Sequence, residues 1–372
     1  MPKPMQGLTE LLQVFTEQEL EILPATGQAV DDIVAPDKDE RFDTVFRRDE
    51  RHIQTIWEEP NRNLYVRVSP LPRYEEHVFR YFQDGSQRVH FLGTVLEGDR
   101  ATPVQLGQFG VAVLKRMNDG QMRCARLNHR WALIVNLQVL SEPVQEKLRD
   151  RAEAFGWEIA DISEPDYITR HLSPEMDMRQ RGIGKAHYLM QRLELEVARS
   201  LERDDEGWLL MDGTFHLMEF VQKPPERTLC IAKSFSKEPQ FSLRTKDCGR
   251  VREGIMRLLA GLGHEHRTAV FGMMDGQVLF WYVRIREQRH LDYPLMGVIK
   301  VEMPNPSMEP VDSELVDWLS RALVAERTVT PYGRDSRWHA HLYSIWLAER
   351  YVQNAFLSRE VMRSMVKWDI RR

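Results

Sequence analysis

Two aspartates are set in surroundings that suit them to chemistry. Asp212 ends the apolar run Trp208-Leu209-Leu210-Met211 and is followed by Gly213 and Thr214. Such a run reads as a strand buried on both faces, which delivers a polar side chain at its C-terminal end. Asp84 repeats the pattern as Asp84-Gly85-Ser86 within FQDGSQRVHFLGTVL. Asp-Gly between apolar runs is also a strong hairpin signal, so a plain turn is the competing reading of each copy. Glu194 is a third carboxylate, bordering the apolar face of a helix-like stretch over 186–201. In helical geometry it neighbours Met190, Val197 and Ala198, whereas Glu196 points more toward solvent. A surface glutamate is the competing reading there. Three carboxylates on separate elements suit Mg²⁺ or Mn²⁺, which keep several waters and bridge to phosphate oxygens. A pair of such ions activates water and stabilises the leaving oxygen of a phosphodiester. A late histidine, His339 or His341, would add a nitrogen ligand or move protons.

The elements that must hold these groups follow from periodicity and punctuation. Residues 8–23 carry leucines at helical spacing, with a break near Thr16. Residues 53–59 fit a helix or an extended segment equally. Segments 64–68, 89–96 and 105–114 read as antiparallel strands that Asp84 opens. Residues 144–155 read as a helix after Ser141 and Pro143. The stretch 165–185 breaks pattern with Pro165, Pro174, Gly182 and Gly184, and it carries Arg170, Arg179, Arg181 and Lys185. A second strand is expected after Asp212, through Phe215, Leu217, Met218 and Phe220. Residues 229–232 form a short strand ending at Lys233, and 251–262 read as a helix. A hairpin is expected around Met274-Asp275-Gly276, a plain turn at Asp119-Gly120, a strand over 297–302 and a helix over 313–324. A long helical pattern over 336–356 holds His339, His341 and Glu349.

Composition limits the alternatives. A chain of 372 residues with 42% hydrophobic content buries a substantial core, and a net charge of −5 gives no global basic signature. Any contact with nucleic acid must use local patches. Cys124, Cys230 and Cys248 lack Cys-x-x-Cys spacing, which argues against a disulfide framework or a thiolate zinc site and fits a reducing cytoplasm. No run of eighteen apolar residues and no signal segment is present, so neither membrane spanning nor export is expected. Arg181-Gly182-Ile183-Gly184-Lys185 lacks the spacing of a phosphate-binding loop, so ATP hydrolysis is not expected.

The run DGSQRVHFLGTVLEGD, then PVQLGQFGVAVLKR, LMQRLELEVA, LLMDGTF, CIAKSFSK and finally RDSRWHAHLYSIWLAERYVQNAFLS together resemble the NurA nuclease family, over roughly residues 81–358. The span 121–184 fits the family poorly. The resemblance implies an α/β fold whose RNase H-like core has a mixed central sheet flanked by helices. It divides the chain into an N-terminal extension, 1–66, and a nuclease domain, 67–372, with an insertion at 121–184. It implies Mn²⁺-dependent (or Mg²⁺-dependent) DNA cleavage, both single-strand endonuclease and exonuclease, by a homodimer acting with a HerA-type hexameric translocase in DNA end resection. Asp84 and Asp212 take the two aspartate positions, Glu194 the helix glutamate and His341 the late histidine, with Glu196 and His339 as alternates. Lys233 would then neutralise phosphate charge, unless it is simply a surface lysine past a strand. Arg179, Arg181, Lys185 and Lys237 would contact DNA. The rival reading is an inactive adaptor or DNA-binding subunit of a translocase.

Overall fold

The computed structural model describes residues 3–25, 52–53, 56–72, 77–164, 177–203, 206–215, 222–235, 240–245, 249–289, 293–328, 338–366 and 368. Lys237, Arg170, Cys248 and most of the strand expected after Asp212 lie outside the described residues. The chain begins with α1 (Lys3–Glu17). It then forms β1 (Phe79–Glu97), β2 (Arg100–Arg116) and β3 (Met122–Val135), followed by α2 (Glu142–Phe155), β4 (Glu158–Asp161) and α3 (Met178–Arg199). After these come β5 (Trp208–Asp212), β6 (Thr228–Ala232), β7 (Val278–Arg284), β8 (Val298–Pro304), α4 (Ser313–Glu326) and α5 (Tyr343–Ala355).

Among the described residues twelve strands join one mixed sheet, whose central order is β7-β8-β6-β5-β1-β2-β3-β4. β1, β2 and β3 form an antiparallel meander, and β5 and β6 continue it parallel to β1. Local signals account for the meander. Gly98, at φ 61°, opens the two-residue loop between β1 and β2, where only glycine takes a positive φ without strain. The Asp119-Gly120 turn joins β2 to β3, with Asp119 Oδ1 accepting the Gln121 N–H at 3.0 Å. A bulge between Phe91 and Gly93 interrupts the long β1–β2 ladder. Every residue of β6 is buried, as expected for a strand covered on both faces.

Two helical layers provide that cover. On one face α3 packs Leu193, Leu195 and Val197 against Tyr81, Val113 and Met211. On the other, α4 and α5 pack Leu319, Leu323 and Ile345 against Phe82, Leu210 and Ile231. Burying each such side chain contributes about 1.5–3 kcal/mol. Asp312 caps α4 by accepting the Glu314 N–H at 2.9 Å. Beyond the bulge, the far end of β1 joins a separate cluster in which Leu92 and Val95 meet Leu11 and Phe15 of α1 and Val144 and Leu148 of α2.

Several expectations shift. The helix read over 186–201 begins at Met178, so Arg179, Arg181 and Lys185 lie on its first turns. Gly182 is tolerated there because the helix rests on Gln105 of β2, whose amide occupies the space a side chain would need. Residues 249–254 are a strand, and only Ile255–Ala260 is helical. Residues 20–23 leave the N-terminal helix, and Glu21–Pro24 pairs as a strand with β1. Tyr65–Arg67 likewise pairs with His266–Thr268, so described segments of the N-terminal span join the sheet. The span 121–184 supplies β3 and β4 to that same sheet.

Candidate active site

Sheet register brings the two aspartates together. Gln83 of β1 lies level with Met211 of β5 on parallel strands, so Asp84 and Asp212 are the next residues along each. Side chains alternate across a sheet. Tyr81 and Met211 pack toward α3, whereas Phe82 and Leu210 pack toward α4 and α5. Asp84 and Asp212 therefore share the α5 face. Ile231 of β6 is level with Asp212, and Lys233, two residues on, sets its Nζ 2.9 Å from Asp212 Oδ2. The Lys233 side chain is 7% exposed and that of Asp212 24%. Gly213, at φ 98°, turns the chain away immediately after the aspartate. Asp84 is 5% exposed, and it sits inside an unbroken strand rather than at a turn.

The electrostatics are those of a crowded acidic pocket. Burial and then the Asp212 charge push the Asp84 carboxyl well above the usual carboxylate range, Lys233 offsets this in part, and Glu349 and Glu194 add to it. Burial alone would lower the Lys233 ammonium, but Asp212, Asp84 and Glu349 outweigh it and raise its pKa. Asp84 Oδ2 and Asp212 Oδ1 are buried and have no hydrogen-bond partner. Unpartnered buried acceptors beside one another are costly and call for a cation or ordered water. Cys230 is no rival nucleophile, because burial, then Glu302, Glu194 and Asp212, push its thiol well above its ordinary value.

Glu194 lies across the sheet. A methyl group at Gly85 would collide with the Glu194 carboxylate, approaching Cδ to 2.9 Å, and a Gly85 side chain would point away from that of Asp84. Gln83 Nε2 holds the Glu194 carbonyl at 2.9 Å. The glycine of the first Asp-Gly pair thus makes room for a carboxylate instead of turning the chain. Glu196 is exposed, and Arg130 NH2 binds both its oxygens at 2.6 and 2.7 Å.

Both histidines precede α5. The described helix starts at Tyr343 because Leu342 forms an extended bridge with Arg327 and the His341 carbonyl accepts the Thr328 N–H at 3.1 Å. His341 is buried and lies just outside the helix that carries Glu349. His339 Nδ1 accepts the Gly297 N–H at 3.0 Å, and its carbonyl accepts from Arg286 Nε at 2.9 Å, which ties down the β7–β8 connection. Among the described residues, Arg179, Arg181 and Lys185 do not form one open surface. Arg179 stacks over the Phe91 ring at 4.6 Å with an exposed guanidinium, Arg181 is half-buried, and Lys185 is 7% exposed with Nζ 3.5 Å from the Glu164 carbonyl.

Glu349 is the group that sequence reasoning named without assigning a role. It lies four residues after Ile345 and three before Val352, both buried, so it borders the apolar face of α5 as Glu194 borders that of α3. The same test applied to both helices finds it. Glu302 was also missed: on β8 it follows Lys300 by two residues, and nothing in that run shows that its carboxylate meets the Phe215 N–H.

All the acidic donors are oxygens, the donor class of Mg²⁺ and Mn²⁺. Among the described residues no group of three or more His, Cys, Asp or Glu side chains is placed so that it could hold a metal ion. The unpartnered buried oxygens of Asp84 and Asp212 are the two donors such an ion would use, with water completing its shell. Among the described residues no helix is long and apolar enough to cross a membrane. In comparisons with known proteins, no family model matches this chain and no curated protein sequence matches it.

Proposed function

We propose that this chain is a metal-dependent deoxyribonuclease resembling the NurA family, hydrolysing phosphodiester bonds with Asp84 and Asp212 as its central pair. The observation that carries the reading is the adjacency of these two aspartates on neighbouring parallel strands, with open buried oxygens and an ammonium beside them. The antiparallel meander β1-β2-β3, continued by parallel β5 and β6 with α3 between, supports an RNase H-like core.

Asp84 and Asp212 would hold Mn²⁺ or Mg²⁺, which when bound lowers the pKa of water and neutralises phosphate charge. Asp84 is fixed by its strand, and Asp212 by the ladder to β6 and by the Gly213 turn. Lys233 stands where an ammonium can meet a non-bridging phosphate oxygen, and its raised pKa keeps it charged at neutral pH. Glu194 adds negative charge from across the sheet through the gap at Gly85. His341 is assigned to proton movement or leaving-group contact, and Arg179, Arg181 and Lys237 to the DNA backbone. Lys185 is withdrawn from that group because its ammonium is buried. The protein acts as a cytoplasmic homodimer with a HerA-type translocase in end resection.

The Lys233–Asp212 ion pair favours a second reading, in which the site is closed and the chain is an adaptor. Incubating the purified protein with single-stranded and duplex DNA, in Mn²⁺ and in EDTA, separates the two. Cleavage in Mn²⁺ that EDTA removes supports the nuclease. No cleavage with or without the translocase leaves the adaptor.

A further inference from the structure

We infer that the outward face of α5, centred on Tyr343, Trp346 and Arg350, is a platform on which unpaired bases of a nucleic-acid strand stack beside the paired aspartates. The inference deepens the proposed function and rests on it for the class of polymer. It uses none of the basic residues that sequence reading assigned to DNA, which lie on α3 or outside the described residues.

The residue pattern of the helix points to it. α5 buries Ser344, Ile345, Ala348 and Val352 against the sheet, and the opposite side of such a helix is ordinarily polar. Here that side carries Tyr343, Trp346, Leu347 and Arg350, spaced i, i+3, i+4 and i+7 and therefore neighbours on one face. Tyr343 is 51% exposed, Arg350 is exposed and Trp346 is half-buried.

Contacts hold these planar groups as one array. The Tyr343 and Trp346 rings lie 5.9 Å apart, tilted by 32°. The Arg350 guanidinium sits over the Trp346 ring at 5.4 Å and donates through NH1 to Gln353 Oε1 at 3.2 Å. Gln353 Nε2 in turn donates to Glu349 Oε1 at 2.8 Å. The array therefore runs around the helix from the Glu349 flank, whose charge is felt by Asp84 and Lys233, to the exposed Tyr343 ring. Ordering the rings in advance lowers the entropy cost of stacking a ligand on them. Ring faces beside a guanidinium match bases joined by phosphates: every base has a π-face, and the guanidinium complements a polyanion. Bases paired within a duplex are withheld from such a face. One helix diameter, about 10–12 Å, spans from the array to the sheet, so a strand held on it passes close to Asp84.

Fluorescence anisotropy of the full-length protein, in EDTA so that nothing is cut, tests this with a labelled oligothymidylate and an abasic strand of the same length. Tyr343→Ala should weaken oligothymidylate binding about tenfold, the loss of one stacked base, and Tyr343→Phe should restore it to within about threefold. Tyr351→Ala removes a comparably exposed aromatic, 44%, from the same helix outside the array, and should stay within about threefold. The abasic strand should bind the parent more weakly than oligothymidylate does, and should bind the parent and Tyr343→Ala alike. Parent-like oligothymidylate binding by Tyr343→Ala, an equal loss in Tyr351→Ala, no binding by the parent, or an abasic strand held as tightly as oligothymidylate would overturn the platform. So would dissociation of a dimer in Tyr343→Ala with strand binding unchanged, which gives this face to a second copy of the chain. Strand binding without cleavage in Mn²⁺ would sink the nuclease reading and leave the platform standing. Cleavage in Mn²⁺ with Tyr343→Ala binding as the parent does would do the reverse.

Discussion

The Glu302 carboxylate accepts the Phe215 backbone N–H at 2.9 Å and pairs through its other oxygen with Lys300 at 2.8 Å. Phe215 is three residues past Asp212, so a fully buried glutamate on β8 anchors the turn that leaves the site. Lys300 completes the arrangement with its ammonium 4.8 Å above the Phe280 ring.

Removing one member of this pair exposes the cost of the other. Glu302→Gln keeps an acceptor for Phe215 but leaves the Lys300 charge buried and unpaired, and is expected to lose about 3–5 kcal/mol of stability. The double variant Glu302→Gln, Lys300→Met should recover most of it in urea melts. A single variant as stable as the parent contradicts this reading.

For Asp84 the pKa shift fixes a sign. Its folded pKa lies above the ordinary aspartate value of about 3.9, so the metal-free native state binds more protons than the unfolded chain. The contribution of Asp84 to stability is fully present below the unfolded pKa and is lost as pH rises through the folded pKa. Asp84→Asn should flatten that slope in EDTA, stabilise the metal-free protein at neutral pH and abolish cleavage. Asp212→Asn should abolish cleavage as well, with the fold intact. Parent-like cleavage by either pure variant contradicts the assignment.

Gly85 should resist substitution through Glu194. The added methyl of Gly85→Ala meets the end of a flexible side chain, so the protein should fold at a cost of about 1–3 kcal/mol. In a Glu194→Ala background the same change should cost much less, which a double-mutant cycle measures. Additive costs would show that the two positions do not touch.

Glu194 and Glu196 should separate sharply. Glu196→Gln breaks only an exposed pair with Arg130, so stability should stay within about 0.5 kcal/mol and cleavage should be unchanged. Glu194→Gln removes the carboxylate that faces the site through the gap at Gly85, and cleavage should fall. The reverse ranking would move the functional carboxylate by two residues.

Asp212 was legible because its signal is local: an apolar run, a carboxylate, then a glycine. Asp84 was legible as a residue but not in its setting, since Asp-Gly looks the same whether glycine serves a positive φ or an absent side chain. The facing of Glu194 depends on which side of β1 receives α3, and nothing within the helix encodes that. The 3.6-residue pattern of α5 was visible, but it is interrupted at His341 and Leu342, between a 3₁₀ turn over Trp338–Ala340 and the helix, by Thr328 and Arg327, partners distant from any local window. Gly182 suggested a break because the close approach of Gln105 that accommodates it comes from another element.

The bulge at Leu92 divides β1 into two lengths with separate allegiances. Asp84 lies on the length held between β5 and β2, whereas the other length lies between β2 and the Glu21–Pro24 strand and packs against α1 and α2. Opening of the N-terminal layer is therefore expected to stop at the bulge. Amides near Leu96 will exchange with solvent long before those around Gln83. Partial unfolding of that layer and loss of the site are therefore expected to be separate events, with the aspartates staying in register.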